Sequence, residues 1–381
     1  MAETLWIVEP RDPLLIRDGR PFGAMPGARA DSLDFPFPST TTGAVRTRVL
    51  QASVGPAALG QAVSPAAKAD LLAVNVKGPL LVELTPSPAL LAPAPADCVV
   101  LGNKPDAIRL RRLQPASTTS MVSGGLGAAT IVAMDNPDKG KPFKDAPRFW
   151  RWSAFEKWLN NPQDADDVTL ASLGHAGPQR DERTHVRIDP QTRTAEEGKL
   201  FVTRSLEFRQ PGAKVETLSQ VVRLGLALAT DADMAEGIGP LGGERRLARW
   251  RKADGVLPPA DSGLKAKIVA QGACRVILLT PAHFAKGWLP DWLLTGMGSG
   301  VKKVMLRGAA VARAQTVSGW DLDTKSEKPS RRLAPAGSVY FLMLDGDANA
   351  IANFVDLVWM QCVSDDEQSR RDGFGLAVIG V

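Results

Sequence analysis

The last third of the chain shows the clearest pattern of apolar and polar positions. Short apolar or alternating runs predict strands, and apolar residues that recur every three or four positions predict helices. The predicted segments are a strand at 273–279, a short helix at 289–295, strands at 301–314 and 337–344, an amphipathic helix at 351–362 and a strand at 374–379. Their order, β-α-β-β-α-β, is that of the ferredoxin-like split βαβ arrangement. We therefore predict one ferredoxin-like domain here.

The first two thirds of the chain have the pattern of a larger, interrupted version of the same plan. A helix is predicted at 41–52, with Ser39 or Thr40 as its N-cap, because hydroxyl side chains accept hydrogen bonds from the free amides of a first helical turn. Two strand-like runs separated by Gln-Pro-Gly-Ala predict a hairpin. The predicted strands are 5–8, the hairpin strands 199–209 and 219–229, and a returning strand at 244–250.

A long irregular stretch, residues 86–198, separates this helix from the hairpin. It opens with several prolines, and only 149–159 within it has a helical pattern, so we interpret it as an insertion. The proline- and glycine-containing segment 255–263 is typical of a domain boundary. The predicted fold class is therefore α+β, with two ferredoxin-like (RRM-like) βαββαβ domains: residues 1–255, with the insertion at about 86–198, and residues 256–381.

Composition, charge and apolar patterning bear on the class of binding partner and on the cellular compartment of the protein. Hydrophobic residues make up 44% of the chain and charged residues 23%, as in ordinary globular proteins. The net charge of +5 fits a polyanionic partner but does not require one. The chain has no apolar run of about 18 residues, so no membrane span is expected. Its first residues do not have the pattern of a signal peptide, and we expect a cytoplasmic protein.

Few residues have the spacing that catalysis or metal binding needs. Cys98, Cys274 and Cys362 are far apart without CxxC spacing, which predicts core packing rather than a zinc site. The three histidines lack HxH, HxxxH and HExxH spacings. The glycine string at 237–243 contains a proline and leads into charged residues, so it does not match a nucleotide-binding loop, and no P-loop is present. The sequence therefore predicts no cofactor and no metal.

The arginines indicate a function more clearly than the cysteines, histidines and glycines do. Arg17, Arg20 and Arg29 flank glycines and prolines in the first loop, and Arg46 and Arg48 lie on the first predicted helix. Guanidinium groups make bidentate contacts with phosphates and stack on bases. Two residues that are two positions apart do not share a helix face, so at most one of the helix arginines is expected to contact a polyanion.

Several motifs together resemble one known family. A first strand is followed by Asp-Pro-Leu-Leu-Ile-Arg-Asp-Gly-Arg-Pro-Phe at 12–22, and then by Phe-Pro-Phe-Pro-Ser-Thr at 35–40. Further motifs follow in the same order as in that family: 183–186, 197–201, 241–244, 319–322, Pro-Ala-Gly-Ser-Val-Tyr at 335–340 and Gly-Phe-Gly at 373–375. The chain resembles the Cmr3-type subunits of type III-B CRISPR effector complexes, which belong to the RAMP superfamily of ferredoxin-like proteins. The resemblance covers nearly the whole chain.

The resemblance implies a non-catalytic, RNA-binding subunit of an antiviral defence ribonucleoprotein. Such a subunit grips the repeat-derived 5′ tag of the CRISPR RNA and joins the large polymerase/cyclase-like Cmr subunit to the backbone Cmr subunits. Taken with the arginine and glycine chemistry, it predicts RNA contacts at Arg17, Arg20, Ser39, Thr40, Arg46, His185, Gly242, Gly243, Trp320, Gly373 and Gly375.

Other interpretations stay open at this point. The chain could be a metal-independent RAMP endoribonuclease that trims CRISPR precursor RNA, with His175 or His185 as the general base. It could also be the equivalent subunit of another type III subtype. Arg17 and Arg20 could pair with acidic residues of their own loop, and Trp320 could pack on its own domain instead of a partner.

Overall fold

The structure is a computed structural model of mixed α/β architecture, and it describes residues 3–17, 29–54, 63–116, 129–210, 221–255, 257–321 and 326–381. The helices are α1 (Pro38–Val54), α2 (Pro65–Ala73), α3 (Trp152–Asn160), α4 (Leu170–Leu173), α5 (Ser262–Gln271), α6 (Asp291–Leu294), α7 (Ala348–Val358) and α8 (Glu367–Arg371). No helix in the described ranges is long and apolar enough to cross a membrane.

Strands are the main elements of both the first two thirds and the last third of the chain. Those of the first two thirds are β1 (Thr4–Pro10), β2 (Arg29–Asp31), β3 (Val76–Glu83), β4 (Ala89–Pro93), β5 (Cys98–Leu101), β6 (Ile108–Arg112), β7 (Gln114–Pro115), β8 (Val132–Ala133), β9 (Phe149–Arg151), β10 (Ala165–Val168), β11 (Gly174–His175), β12 (Gln179–Ile188), β13 (Ala195–Glu207), β14 (Arg209–Gln210), β15 (Val222–Thr230), β16 (Gly237–Pro240) and β17 (Leu247–Lys252). Those of the last third are β18 (Ala273–Leu278), β19 (Lys303–Ala310), β20 (Gln315–Val317), β21 (Trp320–Asp321), β22 (Ser326–Glu327), β23 (Arg331–Leu333), β24 (Val339–Asp345), β25 (Gln361–Cys362) and β26 (Leu376–Gly380).

The first helix forms where the sequence predicts it but begins three residues earlier. Helix α1 starts at Pro38, a residue whose fixed φ and missing N–H suit a first helical turn. Ser39 and Thr40 therefore lie inside that turn rather than at the N-cap, and the amide of Thr40 donates to the carbonyl of Phe37 at 3.0 Å. The predicted N-cap was wrong because the proline starts the helix ahead of both hydroxyl residues.

The largest sheet in the described residues has nine strands, in the order β11-β9-β4-β3-β15-β1-β17-β16, with β14 added to β15. Strand β1 pairs with β15 and β17, and both pairings are antiparallel. Trp6 and Val8 of β1 pack with Val45 of α1 and Trp250 of β17, and all four side chains are buried. This cluster holds α1 against one face of the sheet.

The predicted hairpin of 199–209 with 219–229 is largely wrong. Strand β13 pairs with β12 and β2 in a separate sheet, and only the two residues of β14 pair with β15. The position beside β15 belongs to β3, which the sequence analysis did not identify. The reason is physical: β3 is almost entirely buried and mostly apolar, whereas most of β13 is exposed or half-buried and the strand carries five charged residues.

The predicted returning strand is displaced. Strand β17 covers Leu247–Lys252, because Gly243–Arg245 forms a short 3₁₀ turn in which Glu244 and Arg245 have positive φ. Within the predicted insertion, β4, β9 and β11 extend the large sheet, while β5, β6 and β10 form a three-stranded sheet. The predicted helix at 149–159 begins as strand β9 and continues as α3.

The second large sheet has the order β19-β24-β18-β26-β25, and every neighbouring pair is antiparallel. All four predicted strands of the last third are present, as are a short helix α6 and the amphipathic helix α7. Helix α5, which was not predicted, packs beside α7. These elements give a mixed α/β structure, which is compatible with the predicted α+β class.

One apolar core runs through both halves of the chain. Leu80 of β3 and Trp158 of α3 belong to the same buried cluster as Ile277 of β18 and Phe354 of α7. Segments on both sides of the predicted boundary at 255–263 therefore share one core.

A buried ion pair crosses the same junction. Arg275 of β18 pairs with Asp97, and the two residues are 1% and 0% exposed. Arg275 also donates to the carbonyl of Trp158 at 2.7 Å and to the main-chain oxygen of Val381 at 2.5 Å. The indole N–H of Trp158 donates to Asp97 at 2.9 Å. Together these contacts join the inserted segment, helix α3 and the last strand.

The three cysteines are free thiols in this core. Burial raises the pKa of Cys274 and of Cys362 to about 12, and it raises the pKa of Cys98 as well. They are therefore neutral at physiological pH, as expected of core residues.

Candidate nucleic-acid interface

A long two-stranded ribbon, formed by β12 and β13, carries the aromatic and basic side chains best placed to contact a nucleic acid. His185 and Phe201 are opposite each other across the ribbon, and their rings stack with centroids 5.1 Å apart and an interplanar angle of 17°. His185 Nε2 lies 2.9 Å from Thr203 Oγ1. Flat rings held in this way are the kind of surface on which unpaired bases stack.

Arginines line the same ribbon. Arg183 pairs with Asp181 at 2.7 Å, and Arg187 pairs with Glu196 at 3.0 Å. The side chains of both arginines are more than half exposed. Exposed ion pairs contribute little stability, so a phosphate group can replace these carboxylates as partner at small cost.

The first loop reaches this sheet through its backbone. Strand β2 pairs in parallel with β13. The backbone of Arg17 forms an isolated antiparallel β-bridge with Ser32, the residue after β2. The hydroxyl of Ser32 accepts from the amide of Ile16 at 3.0 Å and donates to the carbonyl of Leu14 at 3.3 Å. These contacts place Arg17 on the same three-stranded sheet as His185. Arg20 lies outside the described residues.

The glycine turn at 242–243 supports the first loop. The amide of Gly243 donates to the carbonyl of Leu15 at 2.7 Å. A Cβ on Gly242, which has a φ of +77°, would lie 2.7 Å from Ile16 Cδ1 and 2.9 Å from the Leu15 oxygen. These glycines thus permit a close approach of the chain's own loop. Their predicted contact with RNA stays a prediction.

A second group of predicted residues lies around helix α1. Arg46 donates to the carbonyl of Leu71 and pairs with Asp372, both at 2.7 Å. A Cβ on Gly373 would lie 2.7 Å from the carbonyl oxygen of Gly78, and one on Gly375 would lie 2.8 Å from the amide nitrogen of Ser364. The Arg46 guanidinium and both glycines therefore make internal contacts.

The remaining candidate residues lie on helix α1 and on strand β21. Arg48 donates to the carbonyl of Ala235 at 2.5 Å and lies over the ring of Trp250 at 5.2 Å, and burial lowers its pKa. Ser39 is exposed and Thr40 is half-buried in the first turn of α1. Trp320 pairs through its backbone with Glu327, and its side chain lies outside the described part.

Sequence reasoning missed Phe201, Arg180 and Arg187. A signal was present: basic residues recur along 180–187 around His185, and an aromatic residue follows in the next polar strand. Only the register of β12 with β13 shows that His185 and Phe201 meet.

The other two histidines have internal partners. His175 Nδ1 accepts from the amide of Gly177 at 2.8 Å, and burial lowers its pKa. His283 Nδ1 lies 2.8 Å from Asp366 Oδ2. Among the described residues, no group of three or more His, Cys, Asp or Glu side chains could hold a metal ion.

A mixed α/β scaffold with an exposed arginine-rich ribbon and a stacked aromatic pair is typical of nucleic-acid-binding proteins. The family model described as CRISPR-associated protein (Cas_Cmr3) matches residues 6–381. The chain therefore belongs to this family, and the resemblance to Cmr3-type subunits is confirmed.

Two solved structures contain chains that are similar to this one. The chain is similar to one in the "Cryo-EM structure of the Type III-B Cmr-beta bound to cognate target RNA and AMPPnP, state 1", with 15% identity, a TM-score of 0.45, and coverage of 88% of this chain and 86% of that chain. The same values apply to a chain of the "Cryo-EM structure of the Type III-B Cmr-beta bound to cognate target RNA". Comparison with curated proteins gives no match.

Proposed function

We propose that this chain is a non-catalytic, RNA-binding subunit of a cytoplasmic type III-B (Cmr) ribonucleoprotein in antiviral defence. In this role it grips the 5′ tag of the CRISPR RNA and joins the large polymerase/cyclase-like subunit to the backbone subunits. Family membership over nearly the whole chain supports the complex. The proposal of RNA binding rests on one observation: the rings of His185 and Phe201 stack among exposed arginines on the ribbon.

We also propose that both halves, residues 1–255 and 256–381, are ferredoxin-like domains. In each large sheet four strands run in the spatial order second, third, first, fourth: β3-β15-β1-β17 and β19-β24-β18-β26. All these neighbours are antiparallel, as two interleaved split βαβ units require. The crossover from β15 to β17 contains β16 and a 3₁₀ turn in place of a long helix.

The proposal that the chain is not catalytic is supported by how the two candidate general bases are held. His185 is stacked and hydrogen-bonded to Thr203, and His175 Nδ1 accepts from a backbone amide. A general base needs a nitrogen within hydrogen-bond reach of the 2′-hydroxyl and a pKa near the working pH. Burial lowers the pKa of His175, which weakens it as a proton acceptor.

The purified chain is expected to leave CRISPR precursor RNA intact and to hydrolyse no ATP, with EDTA, Mg²⁺ or Mn²⁺. Gel analysis of end-labelled RNA and release of phosphate measure the two reactions. Cleavage that disappears in His175→Ala or His185→Ala, while a Gln163→Ala control still cleaves, would establish the endoribonuclease instead.

Arg17→Ala combined with Arg20→Ala is expected to weaken binding of tag RNA by the assembled complex. For a single strand, the slope of log affinity against log salt becomes shallower by about 0.7 for each phosphate that the protein no longer neutralises. Filter binding at several salt concentrations measures both affinity and slope. The matched control is Arg313→Ala with Arg332→Ala, which removes two exposed arginines of the last third. Equal slopes in the two double variants would mean that Arg17 and Arg20 do not contact the RNA.

A further inference from the structure

A cleft of about 440 Å³ opens where the two halves of the chain meet. One wall is the Phe-Pro-Phe-Pro segment at 35–38, which leads into α1. The RNA contacts proposed for the ribbon do not account for this motif. The other walls come from the middle of β3, from Arg148 and Phe149, from the loop after β18, and from β20. The cleft is therefore built from both halves.

The chemistry of the cleft changes from floor to rim. Phe37, Leu80 and Phe149 are buried and form part of an apolar floor. The rim carries exposed polar side chains: Asp34, Arg148, Gln315 and Thr316. A floor without charge beneath a rim of hydrogen-bonding groups suits a flat heteroaromatic ligand with a polar edge.

Aromatic and cationic groups are grouped at one side of this cleft. The rings of Phe35 and Phe149 are 5.2 Å apart and tilted by 50°. The guanidinium of Arg148 lies 5.9 Å from the Phe149 ring centroid. Arg148 is also held by Asp34 at 3.4 Å and by a hydrogen bond from its Nε to the carbonyl of Ala176 at 2.8 Å.

The cleft is continuous with the proposed RNA surface. Arg180, at the start of β12, donates to the carbonyl of Ser32 at 3.0 Å and to Asp34 at 2.5 Å. Asp34 thus lies between Arg148 of the cleft and Arg180 of the ribbon. Two guanidinium groups share one carboxylate, so this edge keeps a positive charge for a phosphate.

We propose that this cleft receives one unstacked base of the bound RNA. The inference rests on the proposed function and adds the position at which a base, rather than the backbone, is read. The base lies on the apolar floor beside Phe35 and Phe149, its polar edge meets Gln315, and its phosphate lies by Arg148 and Arg180. Sequence-specific contacts to RNA are made mainly with such unstacked bases.

An abasic scan tests the cleft in the assembled complex. The probe is a set of single-stranded RNAs with the repeat-derived 5′ sequence, each with one base removed. One abasic position is expected to lower affinity for the wild-type complex on the order of tenfold. In Gln315→Trp, whose indole fills the cleft, the intact RNA binds on the order of tenfold more weakly. Removal of that same base then causes no further loss.

The control is Gln163→Trp, the same substitution at an exposed position outside this cleft. It should reproduce the wild-type scan. A wild-type complex that binds RNA without any base-dependent position, or a scan unchanged in Gln315→Trp, would overturn the cleft proposal and leave the proposed function in place. Failure of the wild-type complex to bind the RNA at all would overturn the proposed function itself.

Discussion

Replacement of Asp97 by alanine is expected to lower the free energy of unfolding by about 3–5 kcal/mol. The substitution removes the carboxylate that pairs with the buried guanidinium of Arg275, a residue that is only 1% exposed. It also removes the acceptor of the Trp158 indole N–H. Because Asp97 lies in the inserted segment and Arg275 in the second sheet, we expect the loss to loosen the junction between the halves.

Urea unfolding followed by tryptophan fluorescence measures this loss. The matched control is Asp356→Ala, which breaks the exposed pair with Lys265 at 2.6 Å and should cost at most about 1 kcal/mol. A second variant, Asp97→Leu with Arg275→Met, removes both charges and should recover most of the lost stability. Equal losses for Asp97→Ala and Asp356→Ala would show that burial of the ion pair does not matter.

The second half of the chain could be predicted because its strands lie close together in sequence and alternate with clear helix patterns. Strands β18, β19, β24 and β26 all fall within or beside the predicted runs. Helix α7 was visible from apolar residues at intervals of three and four. Local periodicity was enough where the neighbours in space are also neighbours in the chain.

The first half could not be predicted in the same way, because its central pairings join distant segments. Strand β3 pairs with β15 across the whole insertion, and no local pattern identifies that partner. The run at 199–209 has strand character, yet it belongs to the exposed ribbon. Burial on both faces distinguishes β3, and burial is a property of the assembled sheet.

The candidate site shows the same division. The sequence identifies the kind of chemistry, arginines that bind anionic groups and glycines that permit close approach, while the RNA contacts of these residues stay a prediction. The partner of each residue was not predictable, since Arg46 meets Asp372 and Gly242 meets Leu15 from remote parts of the sequence. His185 was identified as a candidate, but its stacking on Phe201 depends on strand register.

Gly373→Ala is expected to destabilise the chain while leaving the RNA affinity of the folded complex unchanged. Gly373 has a φ of +91°, and a side chain in this region costs about 1–2 kcal/mol. Its Cβ would also lie 2.7 Å from the carbonyl oxygen of Gly78 and 2.9 Å from that of Val76, an overpacking that adds about 1–3 kcal/mol. We expect this steric clash to push the segment around Gly373 away from β3.

Gly298→Ala separates the backbone strain from the steric clash. Gly298 has a φ of +79°, and a Cβ there meets nothing within 4 Å, so its substitution should cost only the backbone strain. Urea unfolding of both variants and RNA affinity of both assembled complexes are the measurements. Gly373→Ala should be the less stable of the two, with equal RNA affinity. Equal stability together with weaker RNA binding in Gly373→Ala alone would mean that Gly373 faces the RNA, as the family resemblance predicted.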